Sequence, residues 1–202
     1  MTNIAVLASG RGSNLQAVID SIENGYLKAR ITAVISDVGD AYALERAKKH
    51  GIKAAFIDPK KFPSKELYEE KVLSILKNYD SELVLLAGYM RVVGHTLLEA
   101  YKNHMLNIHP ALLPAFPGLH AQKQAFDHGV KVAGCSVHFV DESLDGGPII
   151  LQRCVEVKED DTAETLADRI LEQEHKIYPE AVKLVVENRL RIEGRKVKII
   201  QS

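Results

Sequence analysis

The chain has 202 residues, 46% of them apolar and 26% charged, with a formal net charge of −1. That length suffices for a substantial core, and the near-neutral balance leaves no broad basic field for nucleic acid or an anionic membrane surface. Cys135 and Cys154 are too few for a disulfide scaffold, and no apolar run approaches the roughly 18 residues of a membrane span.

Met-Thr-Asn-Ile-Ala-Val at the N-terminus reads as a strand, not a signal peptide, so a reducing cytoplasm is the expected setting. Asn3 to Ala8 is that first strand, and Leu15, Val18, Ile19 and Ile22 follow at helical spacing. Ile31 to Ile35 is the next strand, followed by a helix from about Ala41 that Gly51 closes. Lys53 to Ile57 is a third strand. Ser64 can cap a helix whose apolar face is Leu67, Val72, Ile75, Leu76 and Tyr79. Leu83 to Ala87 has the all-apolar character of a central parallel strand.

A short helix over Thr96 to Tyr101 leads to a strand from Met105 to His109. A loop with Pro110, Pro114 and Pro117 comes next, then a helix over Ala121 to His128. Val132 to Val140 and Ile149 to Val157 are longer strands joined by Asp141 to Pro148. Thr162 caps a helix that Pro179 must kink or end. The tail holds more helix and a hairpin turned at Glu193-Gly194, and its Arg189, Arg191, Arg195, Lys196 and Lys198 read as a solvated face. Strand–helix alternation of this kind predicts a doubly wound α/β fold: a mostly parallel twisted sheet, helices on both faces, and an antiparallel C-terminal part. Ligands are then expected at the carboxyl ends of the strands, near residues 9–14, 88–93 and 107–118.

Ser9-Gly10-Arg11-Gly12-Ser13-Asn14 runs from a buried strand into a helix N-terminus. Backbone N–H groups and the helix dipole there suit an anion, with Ser13 and Asn14 as added donors. A tight turn plus an N-cap explains the same string. The dinucleotide fingerprint would need a glycine where Leu15 stands, so a monophosphate fits better than a pyrophosphate. In Asn107-Ile108-His109-Pro110, alternation puts Asn107 and His109 on one face of a strand end. An amide donor beside an imidazole suits a reaction that builds negative charge on a carbonyl oxygen; a polar strand end satisfied locally is the plain alternative. Asp145-Gly146-Gly147 is a turn signal that also offers a carboxylate to the imidazole, favouring its charged form.

Other groupings carry less. Cys135 and His138 lie three apart on a strand and face opposite sides, so they cannot share a metal, and none is expected. No G-x-S-x-G elbow occurs, and Cys135 within an apolar strand reads as core. His50, His95, His104 and His128 read as surface residues, and Glu174 sits on what reads as a solvated helical stripe.

Several strings now fall in order: Ser9-Gly-Arg-Gly-Ser-Asn14, Leu86-Ala-Gly-Tyr-Met-Arg91, Asn107-Ile-His-Pro-Ala-Leu-Leu-Pro114, Pro117-Gly-Leu-His120, Ser136-Val-His-Phe-Val140, Leu144-Asp-Gly-Gly-Pro148 and Gln173-Glu-His175. Together they closely resemble the phosphoribosylglycinamide formyltransferase family, folate-dependent enzymes of purine biosynthesis, over almost the whole chain. The resemblance implies one formyltransferase domain over residues 1–202, with a phosphate-binding half (1–100) and a folate-binding, catalytic half (101–202). It implies transfer of the formyl group of 10-formyltetrahydrofolate to the amine of phosphoribosylglycinamide, without a metal, by a monomer or homodimer acting on small molecules.

By the same resemblance, Asn107 would bond the formyl oxygen, His109 would act as imidazolium acid, and Asp145 would favour that charged ring and help move the amine proton. Gly12, Ser13 and Asn14 would hold the ribose phosphate, with Glu174 at the polar end of that substrate. Met90, Arg91, Val92 and Val93 would line the pterin pocket largely by backbone, with Asp141 and its loop, and Asn107 beside them. Lys65 would approach the folate carboxylates, and His138 and Gly118 would support the catalytic group from behind. Ala111 departs from the family's usual serine. Lys65 replaces a frequent arginine, so a bidentate contact becomes a point charge. Rivals are a hydrolase of 10-formyltetrahydrofolate and methionyl-tRNA formyltransferase, whose extra N- and C-terminal domains this chain leaves no room for. A non-catalytic sugar-phosphate or folate-binding module is the rival from another class.

Overall fold

The computed structural model describes residues 1–200, which form two compact units divided between Leu106 and Asn107. The first unit contains β1 (Thr2–Leu7), α1 (Ser13–Glu23), β2 (Ala29–Ser36), α2 (Tyr42–Lys49), β3 (Lys53–Phe56), α3 (Lys65–Asn78), β4 (Leu83–Leu86) and α4 (His95–Ala100). Its strands are all parallel in the order β3-β2-β1-β4. β1 lies between β2 and β4, so Ile4 to Leu7 are wholly buried, as their unbroken apolar run requires. The chain winds outward to β3 and then returns to the other side of β1 as β4. That reversal puts the loops after β1 and β4 side by side at the strands' carboxyl ends.

β5 (Met105–His109) carries the chain across the division, its last three residues belonging to the second unit. That unit continues with α5 (Ala121–His128), β6 (Val132–Phe139), β7 (Ile149–Glu156), α6 (Ala163–Val186), β8 (Leu190–Glu193) and β9 (Lys196–Ile199). β6 and β7 are antiparallel, β8 and β9 form an antiparallel hairpin, and β9 joins β7 in parallel at Ile149 and Lys196. α6 lies against β6, β7 and α5. The expected mostly parallel sheet with an antiparallel C-terminal part is therefore present.

One local expectation is corrected and another is narrowed. On α3 the buried stripe is Tyr68, Val72 and Leu76, with Glu69 beside it, while Leu67 is 44% exposed. The 68-72-76 spacing keeps one face, and Leu67 falls a full 100° away from Tyr68. Pro179 does not end its helix, because α6 runs on to Val186. A mid-helix proline costs about 3 kcal/mol. Burial of Leu166, Ile170, Ile177, Tyr178, Val182 and Leu184 along α6 outweighs that, at about 1.5–3 kcal/mol for each large side chain. Thr162 caps α6 as expected, in a reciprocal pairing with Thr165.

Candidate active site

In the second unit, β5 presents Asn107 and His109 on one face, and both reach Asp145 in the turn after β6. Asn107 Nδ2 donates to Asp145 Oδ1 at 3.3 Å and to His138 Nε2 at 3.2 Å. His109 Nδ1 stands 3.4 Å from Asp145 Oδ2, and Gly118 N–H donates to that same oxygen at 2.8 Å. The Asp145 side chain is only 11% exposed. Burial by itself raises its carboxyl, but the Gly118 N–H and the imidazole of His109 oppose that and hold it below the usual carboxylate range.

The neighbouring backbone fixes the ring tautomers. His138 Nδ1 lies 2.8 Å from the Phe139 carbonyl, which can only accept, so Nδ1 carries the proton and Nε2 receives the Asn107 amide. That carbonyl sits where a side chain on Gly147 would be, 1.8 Å from a Cβ built there, so glycine is needed at 147. The β6–β7 register also shifts between Val137 and His138, re-aiming the histidine at the strand end. His109 Nε2 donates to the Phe116 carbonyl at 2.8 Å. Both its ring nitrogens thus face acceptors, and only the doubly protonated ring donates to both. The loop carrying Phe116 is tied down by buried Ser136, whose hydroxyl accepts from Leu113 N–H and donates to the Ala111 carbonyl, while Gln152 donates to Ser136 and to the Leu113 carbonyl.

Asp141 is half-buried, its carboxylate turned back on Ser143 N–H and hydroxyl to shape the start of the turn. Glu174 is buried on α6 at 5% exposure, which corrects the solvated-stripe reading. Cys135 lies in the core, where burial and then Glu174 push its thiol up to about 12, no state for a nucleophile.

In the first unit, the glycine loop and the 88–94 segment are the other predicted places. Gly12 is the N-cap of α1 in the left-handed region (φ 68°), with no side-chain cap bond. The turn and the N-cap of the sequence reading are both present, the cap being Gly12 itself. A Cβ at Gly12 would come within 2.8 Å of Ala43 Cβ, because α2 docks on this loop: Ala43 N–H donates to the Gly10 carbonyl, and Arg46 Nε to the Arg11 carbonyl. Asn14 is buried and Ser13 half-buried on the first turn of α1.

Met90 and Val92 are 61% and 64% exposed, an apolar edge suited to a flat heterocycle, and Arg91 and Val93 are half-buried. The amide of Met90 is already given to Ser9 Oγ at 2.9 Å. Arg91 lies over the Tyr68 ring at 5.0 Å, and Tyr68 and Tyr89 share a hydroxyl contact of 2.8 Å. Burial, helped by that contact, pushes the Tyr89 phenol up. Lys65, 41% exposed at the start of α3, stands 3.9 Å from Glu69 Oε1. Glu69 accepts from Gly94 N–H at 2.6 Å and so pins the end of the segment.

Sequence reasoning gave no role to Glu69, Phe116 and Gln152, and it met Ser9 and Ser136 only as the first residues of longer strings. Among the described residues, no group of three or more His, Cys, Asp or Glu could hold a metal ion, and no helix is long and apolar enough to cross a membrane.

A family model described as formyl transferase matches residues 2–182. A phosphoribosylglycinamide formyltransferase of Bacillus subtilis is 45% identical over 183 residues, 91% of this chain and 94% of that protein. Its namesake from Escherichia coli is 42% identical over 190 residues, covering 94% of this chain and 90% of the other. The crystal structure of glycinamide ribonucleotide transformylase 1 from Symbiobacterium toebii superposes with a TM-score of 0.98 at 54% identity, covering all of this chain and 95% of that one.

Proposed function

This chain belongs to the formyl transferase family, and we infer that it transfers the formyl group of 10-formyltetrahydrofolate to the glycinamide amine of 5-phosphoribosylglycinamide in purine biosynthesis. The observation that carries the reading is one half-buried carboxylate, Asp145, that reaches both the Asn107 amide and the His109 ring. Binding alone has no need of that grouping.

The amine nitrogen attacks the formyl carbon, and the carbonyl electron pair moves onto oxygen. Asn107 is assigned to that oxygen. Both hydrogens of its amide are engaged by protein, so the longer contact, to Asp145 at 3.3 Å, is the one released to substrate. His109, as imidazolium, gives the oxygen a proton from Nε2 once the Phe116 carbonyl has withdrawn. Asp145 balances the ring's charge and accepts the amine proton through water. On collapse the oxygen returns its proton to His109 and the bond to folate N10 breaks, N10 taking through water the proton that Asp145 received from the amine; the products are a formamide and tetrahydrofolate. No covalent nucleophile is needed, and alignment of amine and formyl carbon contributes up to ~7–11 kcal/mol.

Gly12, Ser13 and Asn14 are assigned to the ribose phosphate, supported by the left-handed Gly12 that opens the N-terminus of α1. Glu174 is assigned to that substrate's sugar. Arg91, Val92 and Val93 are assigned to the pterin through backbone, with Met90 and Asp141 flanking and Lys65 on the folate carboxylates. His138 and Gly118 orient Asn107 and Asp145. The enzyme works in a reducing cytoplasm, as a monomer or homodimer, where Cys135 and Cys154 remain thiols.

The test mixes purified protein with 10-formyltetrahydrofolate, with and without the glycinamide ribotide. Tetrahydrofolate appearing only with acceptor is expected. Release without acceptor would make the enzyme a hydrolase, and no release in either mixture would leave a binding module.

A further inference from the structure

Ser9, the residue between β1 and the glycine loop, makes three hydrogen bonds to two other segments of the first unit. Its N–H donates to the Gly88 carbonyl at 2.9 Å. Its hydroxyl donates to Asp37 Oδ1 at 2.6 Å and accepts the Met90 N–H at 2.9 Å. The hydroxyl therefore stands in a chain from a carboxylate, through one oxygen, to the backbone of the segment assigned to the pterin. Donation to a charged acceptor makes the oxygen a better acceptor in turn, so the two bonds strengthen each other.

Both ends of this chain are held. Asp37 follows β2 on a turn in which Ser36 Oγ accepts Val38 N–H and donates to the Val38 carbonyl. The 88–94 segment is fixed elsewhere through Tyr89 to Tyr68 and through Gly94 to Glu69. Between those anchors, the bonds to Gly88 and Met90 join it directly to the head of the glycine loop. Three residues after Ser9 stands Gly12, the left-handed residue that aims the α1 N-terminus.

We propose that Ser9 is a positioning residue that couples the two substrate subsites, so that ordering of the glycine loop by a phosphate monoester orders the 88–93 backbone for a pterin, and the reverse. This rests on the subsite assignments made under the proposed function. Coupling between two binding events is reciprocal: each ligand tightens the other by the same factor. Loss of one or two such hydrogen bonds corresponds to about a two- to tenfold change.

The test titrates ribose 5-phosphate into wild-type protein with and without saturating tetrahydrofolate, then repeats the titration in the opposite order. Wild type should show the same tightening both ways, by about two- to tenfold. Ser9→Ala should bring that factor to near one, and Ser9→Thr, which keeps the hydroxyl, should restore it. Asp37→Asn, which leaves a neutral acceptor, should give an intermediate factor and carries the test if Ser9→Ala does not fold. A merely structural serine would weaken both affinities and leave their ratio unchanged; that result, or no tightening in wild type, overturns the proposal. Failure of the underlying assignment is read separately: Ser13→Ala would then leave ribose 5-phosphate affinity at its wild-type value.

Discussion

The two units prepare their chemistry by different means. In the second unit, side chains from β5, β6 and the turn at 145 meet one another: an amide and a carboxylate, both half-buried, share a set of contacts with two buried imidazoles. In the first unit, the surfaces offered to ligand are largely backbone, namely the loop before α1 and the segment from 88 to 94, and side chains such as Ser9, Arg46 and Glu69 hold that backbone in shape. A side chain can act on a reacting bond and change its own protonation. A shaped backbone can recognise but not exchange protons. Changes in the catalytic group of the second unit should therefore fall on kcat, and changes in the shaped backbone of the first on KM.

The most severe break in that contrast is Asp145→Asn. An amide keeps the size and can still accept from Gly118, but it neither balances an imidazolium nor takes a proton. We expect kcat to fall about 10²–10⁴-fold, with KM for the phosphate substrate within twofold, measured by steady-state kinetics. A fall below tenfold would take the carboxylate out of the mechanism. The same variant should alter acid stability. The folded Asp145 carboxyl is held below its ordinary value, so its stabilising contacts are complete above the unfolded value of about 3.9 and are lost as pH falls through the lower folded value. Thermal melts against pH should show the wild type losing that increment below about pH 4, while Asp145→Asn lacks it at every pH. Parallel curves would mean that folding does not lower the Asp145 carboxyl below its unfolded value.

Next in size is Gly12→Ala, which tests the backbone side. It puts a side chain on a residue with φ 68° and within 2.8 Å of Ala43 Cβ, so the loop and α2 must part. The strain costs about 1–3 kcal/mol, and KM for the phosphate substrate should rise about tenfold or more while kcat at saturation changes little. A larger effect on kcat than on KM would erase the distinction between the units.

The same contrast governs what the sequence could reveal. Strands β1, β4 and β5 were legible because unbroken apolar runs and the step of two along a strand are local signals, and Asn107 with His109 is such a step. Asp145 was legible as a turn, but its approach to His109 depends on Gly147 admitting the Phe139 carbonyl and on the register shift at His138, neither of which is encoded nearby. Backbone-directed positions were the least legible, because a carbonyl or N–H belongs to every residue type. The Phe116 carbonyl on His109 and the Met90 N–H on Ser9 left no compositional trace. Leu67 failed for a third reason: a helical stripe is a local preference, and tertiary burial overrode it.

The smallest expected effect comes from a residue that the sequence placed on a solvated face. Arg195 is exposed, and its neighbours on the hairpin are paired as that reading requires, Arg191 and Lys198 both with Glu193. Yet its guanidinium donates to the Gly146 carbonyl, one residue from Asp145, because the turn at Gly194 (φ 60°) and the β7–β9 pairing at Ile149 and Lys196 bring it there. An exposed contact of this kind is worth about 0–1 kcal/mol, so Arg195→Ala should lower kcat about twofold and leave the phosphate KM alone. Here a second-unit side chain acts as the first unit's do, by holding backbone. If kcat falls and KM does not, its effect belongs to the carboxylate it steadies; if only the melt moves, the hairpin serves stability and the catalytic turn holds its shape unaided.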